Sequence, residues 1–166
     1  MMRAIGPGSG EFAVKTFDHL TVIGLREWVG LPAFGIDQIV AKIDSGAKTS
    51  SLHASNIETF ERDGETWVRF DAHIGTRNKQ RTQQCEAQLI ELKRVKSSNG
   101  HLQERHTIRT QMVLGDKCWP VEFTLTCRKS MRYRMLMGCT AMLDGNLVIN
   151  PGVRYVQEKP QTKEFA

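Results

Sequence analysis

Ile39-Val40-Ala41-Lys42-Ile43-Asp44-Ser45-Gly46-Ala47-Lys48-Thr49-Ser50-Ser51-Leu52-His53-Ala54 is the stretch that decides the fold. An apolar run ends abruptly in an acid, followed by Ser, Gly, Ala and a hydroxyl-rich segment. The run from Gln38 to Ile43 reads as a strand. A strand delivers its last residue to the end of a sheet, which places Asp44 at the floor of a cleft. Gly46 lets the backbone turn tightly and approach another chain or a substrate. Ser45 and Thr49 offer hydroxyls to fix the loop and orient the carboxylate. Asp-Ser-Gly alone is a short and common motif, and a buried Asp capping a turn has the same three residues.

The sequence on either side of this stretch points to β-structure. Thr66, Val68, Phe70, Ala72 and Ile74 fall on one face, against Arg69, Asp71 and His73 on the other. Trp119, Val121, Phe123, Leu125 and Cys127 alternate in the same way with Glu122, Thr124 and Thr126. A period of two marks half-buried strands, and Leu147 to Asn150 reads as a further strand. Asp63-Gly64, Asn99-Gly100, Gly115-Asp116 and Asp144-Gly145 are turn pairs that supply the positive φ of tight hairpins. Only Cys139 to Leu143 reads as helix, stopped by Asp144-Gly145. Many short strands with tight turns predict an all-β barrel or sandwich.

The chain has 166 residues, 40% hydrophobic and 25% charged, as expected for one globular domain. We place that domain at 18–158, with a flexible leader at 1–17 and a polar, frayed tail at 159–166. No apolar run is long enough to span a bilayer and no signal-peptide core is present, so a cytoplasmic protein with no membrane partner is expected. Cys85, Cys118, Cys127 and Cys139 form no C-x-x-C pair and are expected as reduced thiols. The net charge of +5 favours anionic partners such as acidic peptides or RNA.

Ile43-Asp44-Ser45-Gly46-Ala47 resembles the Asp-Thr/Ser-Gly-Ala active-site loop of retroviral-type aspartic peptidases. Downstream, Met135-Leu136-Met137-Gly138 and the short helix resemble the apolar-apolar-Gly segment and helix that close the retropepsin core, with Leu136 and Gly138 as structural positions. Lys42 to Ala54 is similar to a bacterial family often labelled "ATP-dependent zinc protease" and also described as retropepsin-like. Some members of that family are encoded beside a ligase that adds glutamates to a ribosomal protein.

The resemblance covers about residues 20–152 and implies a closed retropepsin-like β-barrel with one short C-terminal helix. It also implies Asp44 as catalytic carboxylate, in a loop of Ser45, Gly46, Ala47, Lys48 and Thr49. One such loop per chain implies a homodimer, and the substrate is a peptide or protein, with an acidic one favoured. Order along the chain assigns the substrate-covering flap to Gly75–Gln84, with Arg77, Lys79 and Arg81 facing the substrate; Asp63-Gly64 is the alternative tip. The family usually has Arg after the glycine where this chain has Cys139. That puts the support of the loop and dimer in question unless Arg128, Arg132 or Arg134 substitutes.

Two other readings compete. A zinc hydrolase would draw on His19, His53, His73, His101, His106 and the cysteines, but there is no H-E-x-x-H and no familiar ligand spacing. His101 and His106 are separated by an odd number of residues, which on a strand turns them to opposite faces. No bound metal or cofactor is expected, and without a G-x-x-x-x-G-K-[ST] loop no ATP site of that kind. A non-catalytic basic barrel holding acidic peptide or RNA is the third reading. Trp67 and Phe70 face opposite sides and offer no stacking platform, so nucleic acid is the less expected partner.

Overall fold

The computed structural model describes residues 17–96, 100–127 and 129–165. The expected leader lies almost wholly outside them, as do Asn99 and Arg128. The fold is mostly β, with ten strands and one short helix among the described residues. In chain order the strands are β1 Thr21–Ile23, β2 Arg26–Leu31, β3 Ile36–Ile43, β4 Ser50–Arg62, β5 Glu65–His73, β6 Thr82–Lys96, β7 Leu102–Leu114, β8 Lys117–Thr126, β9 Met135–Met137 and β10 Leu147–Ile149. Helix α1 spans Cys139–Asp144, between β9 and β10.

Eight strands form one sheet in the order β2-β3-β9-β4-β5-β6-β7-β8. Further pairings join β2 to β7, at Gly30 opposite Val113, and β4 to β8, in parallel from Ser50–Phe123 to His53–Thr126. β1 and β10 make a separate parallel pair. The alternation expected for β5 and β8 holds: Val68, Phe70, Ala72, Val121, Phe123 and Leu125 are all buried. Cys127 lies just past β8 and is exposed, which ends the expected stripe one residue early.

The turn pairs behave differently from one another. Asp63 and Gly64 both have positive φ, 53° and 77°, and close β4 onto β5 with Arg62 opposite Glu65. Gly115 alone turns positive between β7 and β8. Gly145 is not the positive-φ residue that its turn pair predicts: it caps α1 at φ −83°, and Asn146 takes the left-handed conformation at φ 51°. A Cβ on Gly145 would lie 2.6 Å from the Trp119 indole, so glycine is required there for close packing. Trp119 completes that contact by donating its indole N–H to the Ala141 carbonyl at 3.1 Å.

The carboxyl-terminal segment packs on the body despite its polar composition. Pro160 and Thr162 are buried, and Thr162 Oγ1 donates to Asp37 beside Gly30. The segment before it is held by a group that sequence reading overlooked. Glu27 lies on the inward face of β2 with Val29 and Leu31, fully buried. Its carboxylate accepts from the backbone N–H of Gly24 at 2.8 Å, Val156 at 3.0 Å and Gln157 at 3.2 Å. A Gln here keeps an oxygen for Gly24 and Val156 but turns its NH2 toward the Gln157 N–H, which loses its acceptor. Glu27→Gln is therefore expected to cost about 1–3 kcal/mol. Urea melts measure that loss, and amide exchange should accelerate first at Val156 and Gln157.

Candidate active site

The loop after β3 is built by strand β9. All three β9 residues are buried, as suits a short strand covered on both faces. On one side β9 runs parallel to β3, with Ile43 opposite Met137. On its other side β9 is antiparallel to β4, with Ser51 opposite Leu136. Residues 44–49 therefore cross the end of β9 to join the two strands flanking it. Asp44 N–H donates to the Met137 carbonyl at 3.0 Å, so the acid stands at the sheet end where β3 and β9 stop.

Further hydrogen bonds fix the loop. Gly46 N–H donates to the Asp44 carboxylate at 3.0 Å, tethering one carboxylate oxygen to the loop. Gly46 is not among the positive-φ glycines; a Cβ there would come within 3.3 Å of Asp44 Oδ1, which is the close approach that glycine permits. The α1 end then closes on the loop: Cys139 N–H donates to the Ala47 carbonyl at 2.7 Å and Thr140 N–H to Lys48 at 3.0 Å. Gly138 N–H donates to Ser50 Oγ at 3.0 Å. Asp44 is left half-buried, with Ser45 and Lys48 exposed beside it.

The two separate segments that sequence reading selected, Asp44–Thr49 and Leu136–Gly138, are thus one hydrogen-bonded unit. The hydroxyl that fixes the unit is Ser50, which sequence reading passed over in favour of Ser45 and Thr49. Among the described residues no hydrogen bond is made by either of those two side chains. Cys139, where the family pattern has Arg, contributes its backbone to the loop. Arg132 and Arg134 precede β9, and with Ala41 opposite Met135 they lie at the level of Val40, several residues back from Asp44. They line a different depression and do not stand in for an arginine at position 139.

Arg77, Lys79 and Arg81 fall on the loop between β5 and β6, closed by Ile74 N–H to Arg81 carbonyl at 2.9 Å. The assigned flap is shorter than expected, because Thr82 to Gln84 already belong to β6. Arg77 donates to the Ser130 carbonyl at 3.4 Å and lines the depression that holds Arg132 and Arg134. A separate depression of about 500 Å³ adjoins the Asp44 loop, where Lys48 and Thr49 meet Glu91 and Lys93 of β6 and Arg109 of β7. The β6–β7 hairpin, whose Asn99-Gly100 turn was read from the sequence but not as a flap, therefore also meets the Asp44 loop.

Among the described residues no three His, Cys, Asp or Glu side chains converge as metal ligands. His101 is exposed near the β6–β7 turn and His106 is buried in β7. His53 and His73 do meet, with rings stacked at 4.1 Å and Ser55 Oγ 2.7 Å from His73 Nε2. All four cysteines are unbridged, and burial pushes the Cys85 thiol up to about 12.

Burial lowers the His73 pKa, helped by the positive charges of Arg134 and Lys129 and opposed by Asp71. Burial also lowers that of His106, opposed by Glu104. Both rings are held neutral in the fold, whereas in the unfolded chain they take a proton near pH 6.5. The unfolded state thus binds more protons between the depressed folded values and pH 6.5, so stability is lost as pH falls below about 6.5. Melting temperature should drop from pH 7.5 to 5.5, and the drop should shrink in His73→Gln with His106→Gln. An equal drop in that double variant assigns the acid sensitivity to other groups.

Comparison with known proteins agrees with this geometry. The model of the RimB-like family, described as retropepsin-like aspartic endopeptidase RimB, matches residues 22–160. A protein of Shewanella halifaxensis (strain HAW-EB4) named "Probable alpha-L-glutamate ligase" is 45% identical over 131 residues, 79% of this chain and 29% of that protein. One of the same name from Desulfotalea psychrophila (strain LSv54 / DSM 12343) is 44% identical over 133 residues, 80% of this chain and 28% of that protein. The chain thus spans about 29% of the length of the curated relatives it matches. The crystal structure of Lpg0085, a protein of unknown function from Legionella pneumophila, superimposes with a TM-score of 0.70 at 27% identity. It covers 83% of this chain and 98% of that one.

Proposed function

Because the chain belongs to the RimB-like family of retropepsin-like aspartic endopeptidases, we propose that it is an aspartic peptidase with Asp44 as its catalytic carboxylate. The observation that carries this reading is the crossing of residues 44–49 over the end of β9, which sets Asp44 at the sheet end with its carboxylate tethered by Gly46 N–H. The pairings β2–β7 and β4–β8 support the closed retropepsin-like barrel, since they join strands otherwise far apart in the sheet order.

The chemistry needs two carboxylates. One takes a proton from a water molecule as that water attacks the peptide carbonyl, and the other, protonated, donates to the carbonyl oxygen. The tetrahedral intermediate then breaks its C–N bond as the amine nitrogen takes up a proton. Two acids this close share one proton, so the titration belongs to the pair. The family motif occurs once in this chain, so the second carboxylate is Asp44 of a second copy, across a two-fold axis. Ser45, Ala47, Lys48 and Thr49 shape the loop at that axis, with Leu136 and Gly138 behind it.

The relatives named as glutamate ligases carry a similar segment in the same polypeptide as the rest of the ligase. With the net charge of +5, this favours peptides bearing added glutamates as the substrate class. The test is cleavage of glutamate-containing peptides by the natural protein and by Asp44→Asn, with and without a chelator. Loss in the variant and survival in chelator support the reading. Chelator-sensitive cleavage that persists in the variant favours a zinc hydrolase instead.

A further inference from the structure

Two histidine rings meet where three parts of the fold join. Ala54 of β4 lies opposite Ala72 of β5, so the next pair toward the Asp44 loop is His53 and His73. Their rings stack at 4.1 Å between centroids, with 21° between the planes. His53 is buried, and its backbone N–H donates to the Arg134 carbonyl at 2.7 Å, extending the β4–β9 ladder by one residue. His73 is the last residue of β5. Ile74 follows, and its N–H donates to the Arg81 carbonyl at 2.9 Å to root the β5–β6 loop. That loop is tight, since a Cβ on Gly75 would strike the Lys79 carbonyl. The stack therefore ties the root of the β5–β6 loop to the segment that runs into β9.

Each ring is held from more than one side. His53 Nδ1 donates to the Thr126 carbonyl of β8 at 3.4 Å. Ser55 Oγ lies 2.7 Å from His73 Nε2. The charges around His73 are unevenly matched. Asp71, two residues back on the same face of β5, favours an imidazolium, but Asn56 of β4 also engages its carboxylate at 2.8 Å. Arg134, only 9% exposed, and Lys129, both on the segment before β9, oppose it. Thr82 and Gln84, on β6 opposite His73 and Asp71, carry no charge. A proton on His73 adds a third cation beside Arg134 and Lys129, against a single carboxylate.

We propose that the His53–His73 stack is a pH-operated latch on the β5–β6 loop. With both rings neutral, it holds the loop root against the segment before β9. A proton on His73 breaks the stack and frees the root. A histidine released to solvent takes its proton near pH 6.5, whereas the latched ring resists it. The freed form thus binds one proton more, and its population rises up to about tenfold per pH unit below that value. The latch stands on the geometry of the stack and does not depend on the chain being a peptidase.

The test reads amide hydrogen exchange by NMR in the full chain at pH 7.5 and 5.5, each rate referred to that of an unstructured peptide at the same pH. Protection of Ile74 is expected to fall about tenfold between the two in the natural protein. His73→Phe keeps a ring to stack on His53 but takes no proton, and should hold Ile74 equally protected at both pH values. His73→Ala has no ring and should leave Ile74 poorly protected at both. His106, the other histidine that burial keeps neutral, lies on β7, and His106→Gln should leave the fall intact. The proposal is overturned by constant protection of Ile74 in the natural protein, by an equal fall in His73→Phe, by full protection in His73→Ala at pH 7.5, or by loss of the fall in His106→Gln. Exchange is read without substrate, so failure here leaves the Asp44 reading untouched, and loss of that reading leaves this one.

Discussion

Asp44→Asn is expected to lower peptide cleavage by on the order of 10³-fold, within the range for removing an acid–base group, while melting temperature changes little. The asparagine keeps the shape of the side chain and retains an oxygen to accept from Gly46 N–H at the 3.0 Å contact. What disappears is the ability to take a proton from water. Asp44 is half-buried and carries no ion pair among the described residues, so its replacement strands no buried charge. A dimeric mechanism makes a sharper prediction than the single variant does. If each active site needs Asp44 from both copies, mixed dimers are inactive, and co-expressed variant should depress activity below the fraction of natural chains present. Activity that falls only in proportion to the variant fraction means that each chain works alone, and the shared dyad is then wrong.

Much of this site is legible in the sequence because it rests on local signals. The strand ending at Ile43 and the helix at Cys139 follow from an apolar run and from the stop at Asp144-Gly145, whereas Met135–Gly138 was marked only by resemblance. The pairing of the Asp44 loop with Gly138 was reached by resemblance, since no local signal links residues almost a hundred apart. What sequence reading missed is long-range. Ser50 is one of several adjacent hydroxyls, and only its register opposite Phe123 in β8 turns it inward, to the Gly138 N–H. Glu27 looks like an ordinary charged strand residue; its burial depends on a segment 129 positions away returning to cover it. Order along the chain does not by itself say which hairpin meets the Asp44 loop. The β5–β6 loop comes first in sequence, but β7 pairs with β8 and β8 with β4, and that brings the base of the later β6–β7 hairpin to the loop.

Gly138→Ala is expected to damage both the stability of the Asp44 loop and the activity it carries. Gly138 has φ −90° and ψ 175°, an extended conformation open to any residue, so strain is not the reason for glycine here. Space is. A Cβ on Gly138 would lie 2.6 Å from the Thr49 carbonyl carbon, 2.8 Å from its oxygen and 2.9 Å from Ser50 N. All three are backbone atoms at the end of the Asp44 loop, and no rotamer change moves them away. To admit the methyl, β9 and the start of β4 must separate, which breaks Gly138 N–H to Ser50 Oγ and loosens Cys139 N–H to Ala47. Overpacking of this kind costs up to about 3 kcal/mol, and more where backbone must shift. For a chain of this size that is a fall in melting temperature of roughly 6–12 °C. Ser50→Ala separates the two contributions, since it removes the hydroxyl acceptor but adds no atom. Its loss should stay near about 1 kcal/mol, the net value of one hydrogen bond. Activity should fall in Gly138→Ala even at temperatures where the protein remains folded, because the displaced loop carries Asp44. A fully active Gly138→Ala with native melting temperature would mean that the loop and β9 are not in the close contact on which the Asp44 site depends.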